Sequence, residues 1–468
     1  MMMAISNAEL IKRARRRSRK RGLALLMVMG ALSLMTLMLT EFQDAASAEL
    51  GSAMASRDQV KAEYAARSGV NLARLPFAAE PTIRKPLALL GVKTQIPVWE
   101  FTDVLLGPFN DTEAAEIFTG ISGLSLDDTR NLGLDGAGFD LQIVDEDSKL
   151  NLNLAARADS FSQQRMVEQL FAMFRGPAYD ELFEEKDEKG NRNDRQAICS
   201  ALIDWVDPNQ DRNNCDPTIE TNIAAAPEDS FYQSLDRPYR RKNAAFDSLE
   251  EVHLVRGVSE RFYRTFFQKD LDDPKSRVVT VWGTGKLNIN TANPLALLSV
   301  ACSKATPESK LCYDEEMQAN MLFSLKMLSS MMPALPIFSS PKSFISAIQG
   351  KGKIGSMLTD MSIEPIQLLS TSEVEKALSV ESKVFSIYAT GRVKSGKRTT
   401  VRKIHAVVDM RGAPPPWAAP PPDPNNPAGV AVNAGAGAPP LTPANPDEPD
   451  ALPMAQRPEG NMIYYRVD

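Results

Sequence analysis

Histidine is nearly absent from this chain, with only His253 and His405 among 468 residues. His253 falls in a predicted helical stripe and His405 in a predicted strand, so we interpret both as structural residues. The sequence also lacks the Gly-x-Ser-x-Gly, Walker A and His-Glu-x-x-His patterns of hydrolases, nucleotide-binding proteins and zinc proteases. These absences argue against an enzyme and leave a signal-anchored exported hydrolase as the least favoured interpretation.

Cysteine is scarce as well, and no Cys-x-x-Cys spacing occurs. The four cysteines form two local pairs, Cys199 with Cys215 and Cys302 with Cys312. In an exported body each pair can close a short disulfide loop, which stabilises a fold by about 2–4 kcal/mol. Four free thiols or a metal site are the alternatives that the spacing leaves open.

Charge is absent from residues 23–40, whereas basic side chains are concentrated directly before them. Residues 1–22 hold eight of the 53 Lys and Arg residues and a single acid, Glu9. Eighteen helical residues span about 27 Å, close to a hydrocarbon core of about 30 Å, and the basic cluster should stay cytoplasmic. The rest of the chain is acidic and would repel a phosphate backbone, so nucleic acid is not an expected partner.

An uninterrupted helix should continue past the apolar run, because no proline occurs between residues 23 and 75. Apolar residues recur at helical spacing after residue 40, with charges on the other faces. The predicted helix is therefore apolar all round in its first half and amphipathic in its second half. The alternative is an ordinary secretory signal, with residues 45–48 (Ala-Ala-Ser-Ala) as its cleavage site.

The junction between the basic head and the apolar run resembles the type IV prepilin class, in which Arg-Gly directly precedes an apolar helix. The resemblance implies that a prepilin peptidase cuts between Gly22 and Leu23 and leaves the helix in the membrane. Most members carry Glu at the fifth mature position, where this chain has Met27. A carboxylate in the membrane needs a partner such as a neighbour's amine, so this chain lacks the usual pairing between subunits. That lack is a feature of the general secretion pathway protein K family of type II secretion systems.

Four further segments resemble that family, in the same order along the chain. Residues 143–153 resemble its D-E-x-G-K-I-N-L-N segment, with Ser148 in place of Gly. The other three are the L-I-D-W-x-D-like residues 202–207, the K-P-Y-like residues 237–240 with 249–252, and the x-N-V-N-T-A-like residues 287–292. The resemblance implies an α+β, pilin-like fold, in which a long N-terminal helix packs on a small antiparallel sheet. It also implies a large inserted all-α domain of the helix-hairpin-helix (SAM-like) type.

The residue pattern agrees with this organisation. Runs rich in β-forming residues at 98–106 and 139–144 predict strands, and residues 383–410 predict a hairpin. Helical patterns fill most of the stretch between them. The predicted division is a basic leader (1–22), the pilin helix (23–75), a first β region (76–154), the inserted helical domain (155–375), a second β region (376–410), a Pro-rich linker (411–459) and a possible terminal strand (460–468).

A candidate calcium site follows the helix predicted at 195–206. Oxygen donors recur there at short intervals, and such hard ligands suit calcium. The candidate ligands are Asp204, Asp207, Asn209, Asp211, Glu228 and Asp229. The resemblance implies calcium sites in this region, although Arg212 stands where an EF-hand loop needs Gly. A solvated acidic loop is the alternative.

Together these features predict a non-enzymatic minor pseudopilin at the tip of the pseudopilus, the filament that drives export of folded proteins across the outer membrane. The expected partners are other minor pseudopilins, in a hetero-oligomer, the inner-membrane secretion platform and prepilin peptidase. The chain should cross the bacterial inner membrane once, with its N-terminus cytoplasmic and its body periplasmic. The runner-up is a membrane-anchored, competence-like DNA-binding protein, because residues 254–258 and 287–298 resemble helix-hairpin-helix units. The acidic body disfavours that alternative.

Overall fold

The computed structural model describes residues 7–89, 94–102, 106, 136–157, 159–184, 186, 190, 192–210, 212–216, 229–331, 336–413 and 460–468. Within these residues the chain forms a long N-terminal helix, a four-stranded antiparallel sheet and a mostly helical insertion between the first two strands of that sheet. This is the α+β architecture predicted from the sequence, and that prediction is confirmed.

Strands and helices alternate irregularly along the described residues. The strands are β1 (Ala137–Asp145), β2 (Leu150–Asn151), β3 (Val279–Thr280), β4 (Leu287–Asn288), β5 (Leu378–Ser379), β6 (Val384–Ser395), β7 (Arg398–Asp409) and β8 (Asn461–Val467). The helices are α1 (Asn7–Leu89), α2 (Ser160–Phe174), α3 (Asp180–Glu184), α4 (Arg195–Val206), α5 (Ser230–Gln233), α6 (Glu260–Phe266), α7 (Pro294–Cys302), α8 (Glu315–Met331), α9 (Pro341–Ile348), α10 (Gly352–Asp360) and α11 (Thr371–Ala377).

The first helix, α1, extends beyond both ends of the helix predicted at 23–75. Near its C-terminal end Arg84 lies 3.5 Å from Glu80 and 2.6 Å from Glu381, and these ion pairs tie the last turns to the body. The stretch Gly22–Pro81 contains a window that is long and apolar enough to cross a membrane, and none of that window is buried. So large an exposed apolar surface needs an apolar environment outside the chain.

The four-stranded sheet has the order β1-β6-β7-β8, with every neighbouring pair antiparallel. Ile387 on β6 lies between Ile143 on β1 and Ala406 on β7, which fixes the register. The hairpin predicted at 383–410 is present, and it turns at Gly396, whose φ of +62° suits a residue without a Cβ.

Helix α1 packs across one face of the sheet through small residues. A Cβ atom on Gly391 of β6 would overlap the carbonyl oxygen of Ala62 and lie 2.8 Å from the backbone nitrogen of Ala66. Towards the other end of the sheet, Phe77 of α1 stacks on Phe385 with 4.3 Å between the ring centroids. Helix and sheet therefore approach each other most closely at Gly391, where the backbone of α1 leaves no room for a side chain on β6.

The prediction of a strand at 98–106 is wrong for its first four residues, because Val98–Phe101 forms a 3-10 helix. Residues 103–105 lie outside the described residues. Val98 and Trp99 are buried, and the Trp99 ring lies 4.6 Å from that of Phe385. The aromatic and β-branched residues of this run mark its burial under the helix–sheet contact rather than an extended backbone.

The insertion leaves the sheet after β1 and returns to it at β6, so it begins at Glu146 and not at the predicted residue 155. It has its own apolar core and includes two short parallel strand pairs, β2 with β3 and β4 with β5. It also covers the face of the sheet opposite α1, where Arg277 donates to the Tyr388 hydroxyl at 3.2 Å. The described body thus has three layers, with the sheet between α1 and the insertion.

Candidate functional site

The acidic loop predicted to bind calcium begins at the end of α4. Asp194 caps the start of this helix by accepting a hydrogen bond from the Ala197 N–H at 2.7 Å. Asp204 in the last turn and Asp207 just after it are both buried. One Asp204 carboxylate oxygen accepts a hydrogen bond from the Asn213 N–H at 2.7 Å, which folds the loop back over the helix end.

A buried arginine lies among these acids. Arg241 donates to the Asp204 carbonyl at 2.7 Å and to the Asn209 carbonyl at 3.0 Å. Its guanidinium also lies 4.0 Å from an Asp207 carboxylate oxygen and 3.4 Å from one of Asp229. The predicted donors Asp204, Asp207, Asn209 and Asp229 are therefore brought together, and a protein cation lies among them.

The charge balance of this cluster favours keeping a positive charge nearby. Burial raises the pKa of Asp204 to about 7, and the neighbouring Asp207 acts in the same direction. The hydrogen bond from Asn213 and the charge of Arg241 oppose that rise. Because the carboxylates are costly to ionise here, a cation such as Arg241 or a metal ion would stabilise their charged forms.

The described ligands alone do not make a calcium cage. Asp211 and Glu228 lie outside the described residues, and the described part of the chain contains no group of three or more His, Cys, Asp or Glu side chains positioned to hold a metal ion. Calcium takes about 6–8 oxygen ligands. A calcium ion would therefore need ligands beyond the described residues and would compete with Arg241 for Asp207 and Asp229. Nothing in the sequence indicated that Arg241 would contact the acidic loop, because this residue comes well after the loop along the chain.

Disulfides join the cysteines in the two local pairs. Cys199 on α4 is linked to Cys215, with 5.9 Å between the Cα atoms, so the acidic loop is tied to the helix that precedes it. Cys302 at the end of α7 is linked to Cys312, with 5.6 Å between the Cα atoms. All four residues are buried in the core of the insertion.

A second polar cluster lies where the chain crosses between the sheet and the insertion, and we call residues 145–149 with their partners the polar junction. Asp147 accepts hydrogen bonds from the backbone N–H groups of Lys383 at 2.7 Å and Thr284 at 2.6 Å. Asp145 accepts from the hydroxyls of Ser382 and Thr291, each at 2.5 Å. These acids hold together the point where the chain leaves the sheet and the point where it returns.

A fully buried ion pair lies beside these aspartates. The Lys149 ammonium lies 3.1 Å from a Glu146 carboxylate oxygen, and the side chains are 1% and 2% exposed. The Thr280 hydroxyl of β3 donates to the second carboxylate oxygen. Burial alone would raise the pKa of Glu146, but the Lys149 charge and the hydrogen bonds to its carboxylate outweigh burial and lower it. Burial lowers the pKa of Lys149, and the charge of Glu146 opposes that fall.

Burial and hydrogen bonding act against each other at Asp145. Burial raises the pKa of Asp145 to about 7, and the charge of Asp147 adds to the rise. The hydroxyls of Ser382 and Thr291 oppose it. From the sequence, residues 143–153 were recognised only as a segment that resembles a family motif. Their role in joining the sheet to the insertion was not predicted.

Comparisons with known proteins relate part of the chain to a family and most of it to a chain in a solved complex. Residues 148–266 match the family model described as "Type II secretion system (T2SS), protein K". No curated protein matches the chain. A chain in the crystal structure of the GspK-GspI-GspJ complex from the enterotoxigenic Escherichia coli type 2 secretion system is 14% identical, with 72% of this chain and 81% of that chain covered and a TM-score of 0.38. The resemblance predicted from the motifs is confirmed over residues 148–266, which are similar to protein K of the type II secretion system.

Proposed function

We propose that this protein is a minor pseudopilin of a type II secretion system. The observation that carries the proposal is the match of residues 148–266 to the protein K family model. The architecture supports it, because those residues belong to an insertion in the sheet that packs on a long, partly apolar helix.

Helix α1 is the proposed single membrane anchor. Its polar side chains in the apolar run bond to the helix's own backbone: Ser33 donates to the Met29 carbonyl at 2.9 Å and Thr36 to the Leu32 carbonyl at 3.0 Å. Neither hydroxyl therefore needs a water or a partner chain inside the bilayer. The basic head would stay in the cytoplasm and the body would lie in the periplasm.

The proposed place in the filament is its tip. The insertion leaves the sheet beside Phe385 and Phe77, at the end farther from the apolar run of α1. With α1 in the membrane, this bulk lies on the side where a further subunit would stack, so it would block addition there. Met27 removes the carboxylate that would pair with a neighbour. We expect other minor pseudopilins and the inner-membrane platform as partners.

The decisive experiment measures the mass of the N-terminus after coexpression with and without a prepilin peptidase. We expect a mature chain that begins at Leu23 only when the peptidase is present, and a Gly22→Val variant that stays uncut. An N-terminus that follows Ala48 in either case would mark the run as a cleaved secretory signal and would contradict the proposal.

Calcium is the cofactor proposed for the acidic loop. The support is that Asp207 and Asp229 lie on either side of the Arg241 guanidinium and that the nearby Asp204 is costly to ionise. In this proposal calcium takes over the neutralising role of Arg241, whose side chain lies close to both Asp207 and Asp229. The bound ion would then fasten the loop to α4.

A further inference from the structure

The hairpin of β6 and β7 carries the densest group of basic side chains in the body. Six of the twelve residues from 392 to 403 are Lys or Arg, and no Asp or Glu occurs between residues 382 and 408. The chain after residue 22 is acidic as a whole, so this hairpin differs in charge from the rest of the body. A concentration of one charge on an exposed element attracts ligands or surfaces of the opposite charge.

Half of these basic side chains are set aside because acids lie near them. Arg392 forms an ion pair with Asp140 of β1 at 2.6 Å. Lys403 exchanges backbone hydrogen bonds with Asp468 at 3.1 and 2.8 Å, which places the carboxylates of Asp468 close to it. Arg402 directly precedes Lys403 and is half-buried, so its charge is not counted either.

The other three basic side chains lie at the turn, and we call Lys394, Lys397 and Arg398 the basic tip. All three are exposed and form no ion pair with any residue that the structure describes. The Lys394 N–H donates to the Gly136 carbonyl at 2.9 Å, and Asp135, outside the described residues, directly precedes that glycine. Even with one charge assigned to Asp135, the basic tip keeps an excess of two positive charges.

The basic tip is the part of the four-stranded sheet nearest to the apolar run of α1. Phe385 of β6 packs on Phe77 of α1, whereas Gly391, closer to the turn, packs on Ala62. The turn therefore points back along α1 towards residue 40. Neither neighbouring strand reaches as far, because β1 starts and β8 ends before the turn. The basic tip thus projects from the body towards the proposed membrane anchor.

The anchor sets the height of the basic tip above the membrane. The strand advances about 17 Å from Gly391 to Gly396, as much as about eleven helical residues, so the turn lies level with about residue 53 of α1. The burial of α1 agrees, because residues 22–54 are exposed and Ala55 is the first that is partly buried. From the end of the apolar run at Thr40 to this level α1 rises about 20 Å. The headgroup layer takes up about 5–7 Å of that height.

A tilt of α1 can close the remaining gap. Membrane helices tilt by about 20° on average and by up to about 40°. The basic tip lies to one side of the helix axis, so a tilt towards that side lowers it, and the long stems of Lys and Arg cover part of the distance. The acids Glu41, Asp44 and Glu49 lie near the point where α1 would leave the membrane. Their distance from the headgroups changes little with tilt, so they do not oppose it.

We propose that the basic tip lies against anionic phospholipid headgroups, on the body side of the membrane that holds α1. The inference rests on the proposed membrane anchor. A Lys or Arg side chain near an anionic membrane surface favours contact by about fivefold. An excess of two charges therefore favours the tilted state by about tenfold or more. The contact fixes the direction in which the body leans, and with it the face that the insertion presents to other subunits.

The test measures how close the hairpin lies to the lipid. Thr399, exposed beside the turn, is replaced by an azide-bearing residue and labelled with a donor dye. The full chain is reconstituted in vesicles that carry an acceptor dye on some headgroups, and energy transfer is measured. We expect more efficient transfer in vesicles that contain phosphatidylglycerol than in pure phosphatidylcholine vesicles. Salt at about 1 M, where the screening length is about 3 Å, should remove the difference.

Charge-reversal variants assign the contact to the basic tip. The tip variant combines Lys394→Glu, Lys397→Glu and Arg398→Glu. The control variant makes the same change at three exposed lysines of the insertion: Lys326→Glu, Lys351→Glu and Lys353→Glu. Only the tip variant should lose the difference between the two kinds of vesicle. The lipid and salt comparisons use the unaltered tip, so the test does not depend on whether these variants fold. Flotation of the protein with the vesicles reports on the anchor separately.

Several outcomes would overturn the proposal. Equal transfer in neutral and anionic vesicles, by a protein that floats with both, would refute the lipid contact and leave the anchor intact. A protein that floats with neither would contradict the proposed anchor as well. An equal loss in the control and tip variants would show unspecific charge attraction. A contact that forms only after a second pilin-like subunit is added, whatever the lipid, would assign the basic tip to a protein partner.

Discussion

Replacing Lys149 with Met should lower the free energy of unfolding by about 3–5 kcal/mol, because it leaves the Glu146 carboxylate buried without its counter-charge. The two side chains are 1% and 2% exposed and lie 3.1 Å apart, so neither can turn into water. Methionine keeps most of the volume of the lysine stem, so lost packing is a minor part of the cost. The hydroxyl of Thr280 would be the main remaining donor to Glu146.

Two further variants separate the effect of charge on stability from the effect of side-chain shape. Glu146→Gln alone should cost a similar amount, because it leaves the Lys149 ammonium buried without a carboxylate. The double variant should cost much less than the sum of the two single changes, since it buries no isolated charge. Neutral replacement of a buried pair is often tolerated, and a double-mutant cycle reports the coupling directly.

Urea unfolding of the full chain in detergent, followed by tryptophan fluorescence, measures each free energy. Lys326→Met in α8 is the matched control, because Lys326 is exposed and the same substitution there isolates no charge. A cost below about 1 kcal/mol for Lys149→Met would be no larger than that of an exposed pair. That result would refute the description of the polar junction. So would a double variant whose loss of unfolding free energy equals the sum of the losses in the two single variants.

Three further predictions concern the helix–sheet contact, the polar junction and the acidic loop. Gly391→Val should destabilise the fold by about 3 kcal/mol or more in urea unfolding, because its side chain would overlap the backbone of α1. The raised pKa of Asp145 means that the folded state holds its proton more tightly than the unfolded state. The free energy of unfolding should therefore fall as pH rises from about 4 to about 7. Asp145→Asn should reduce that slope, and the part that Asp204 contributes through its own raised pKa should remain. Millimolar calcium should raise the melting temperature, and Asp207→Asn should abolish that rise.

Each of these predictions has its own control. Thr390→Val, on the next residue of β6 and the opposite face, should cost little, so an equal cost at both positions would contradict the close approach of α1. For the pH slope, Asp272→Asn in an exposed loop should change nothing. For calcium, magnesium at the same concentration should have a smaller effect, and an equal effect of both ions would indicate general screening.

The elements that were predicted correctly are those whose conformation is determined by a short stretch of sequence. The hairpin of β6 and β7 and the helix α4 follow from alternation, turn residues and helical periodicity within one short window each. The 3-10 helix Val98–Phe101 did not follow, because aromatic and β-branched residues report burial as readily as extended backbone.

The candidate sites depend on partners that are distant in the sequence, and there the prediction was incomplete. Arg241 reaches the acidic loop from a segment more than 30 residues away, so no spacing rule would place it among the aspartates. The polar junction was hidden for another reason. A run with the charges of residues 145–149 normally predicts a solvated surface, and only the tertiary fold supplies the backbone N–H groups that allow these acids to be buried.

The polar junction also explains how a large insertion can be held in one position relative to the sheet that packs on α1. The chain passes between sheet and insertion twice. Asp147 accepts hydrogen bonds from the backbone N–H groups of Lys383, directly before β6, and of Thr284 in the insertion. Any swing of the insertion would break these bonds and leave a carboxylate buried without donors, which costs more than the loss of apolar contact. Apolar surfaces in contact could slide past each other, whereas the hydrogen bonds of the polar junction allow only one arrangement. A subunit that must hold its insertion at a fixed position relative to α1 would need such a joint. Asp147→Ala should therefore loosen the insertion before it unfolds the sheet. Amide hydrogen exchange would show this as faster exchange in α7 than in β6.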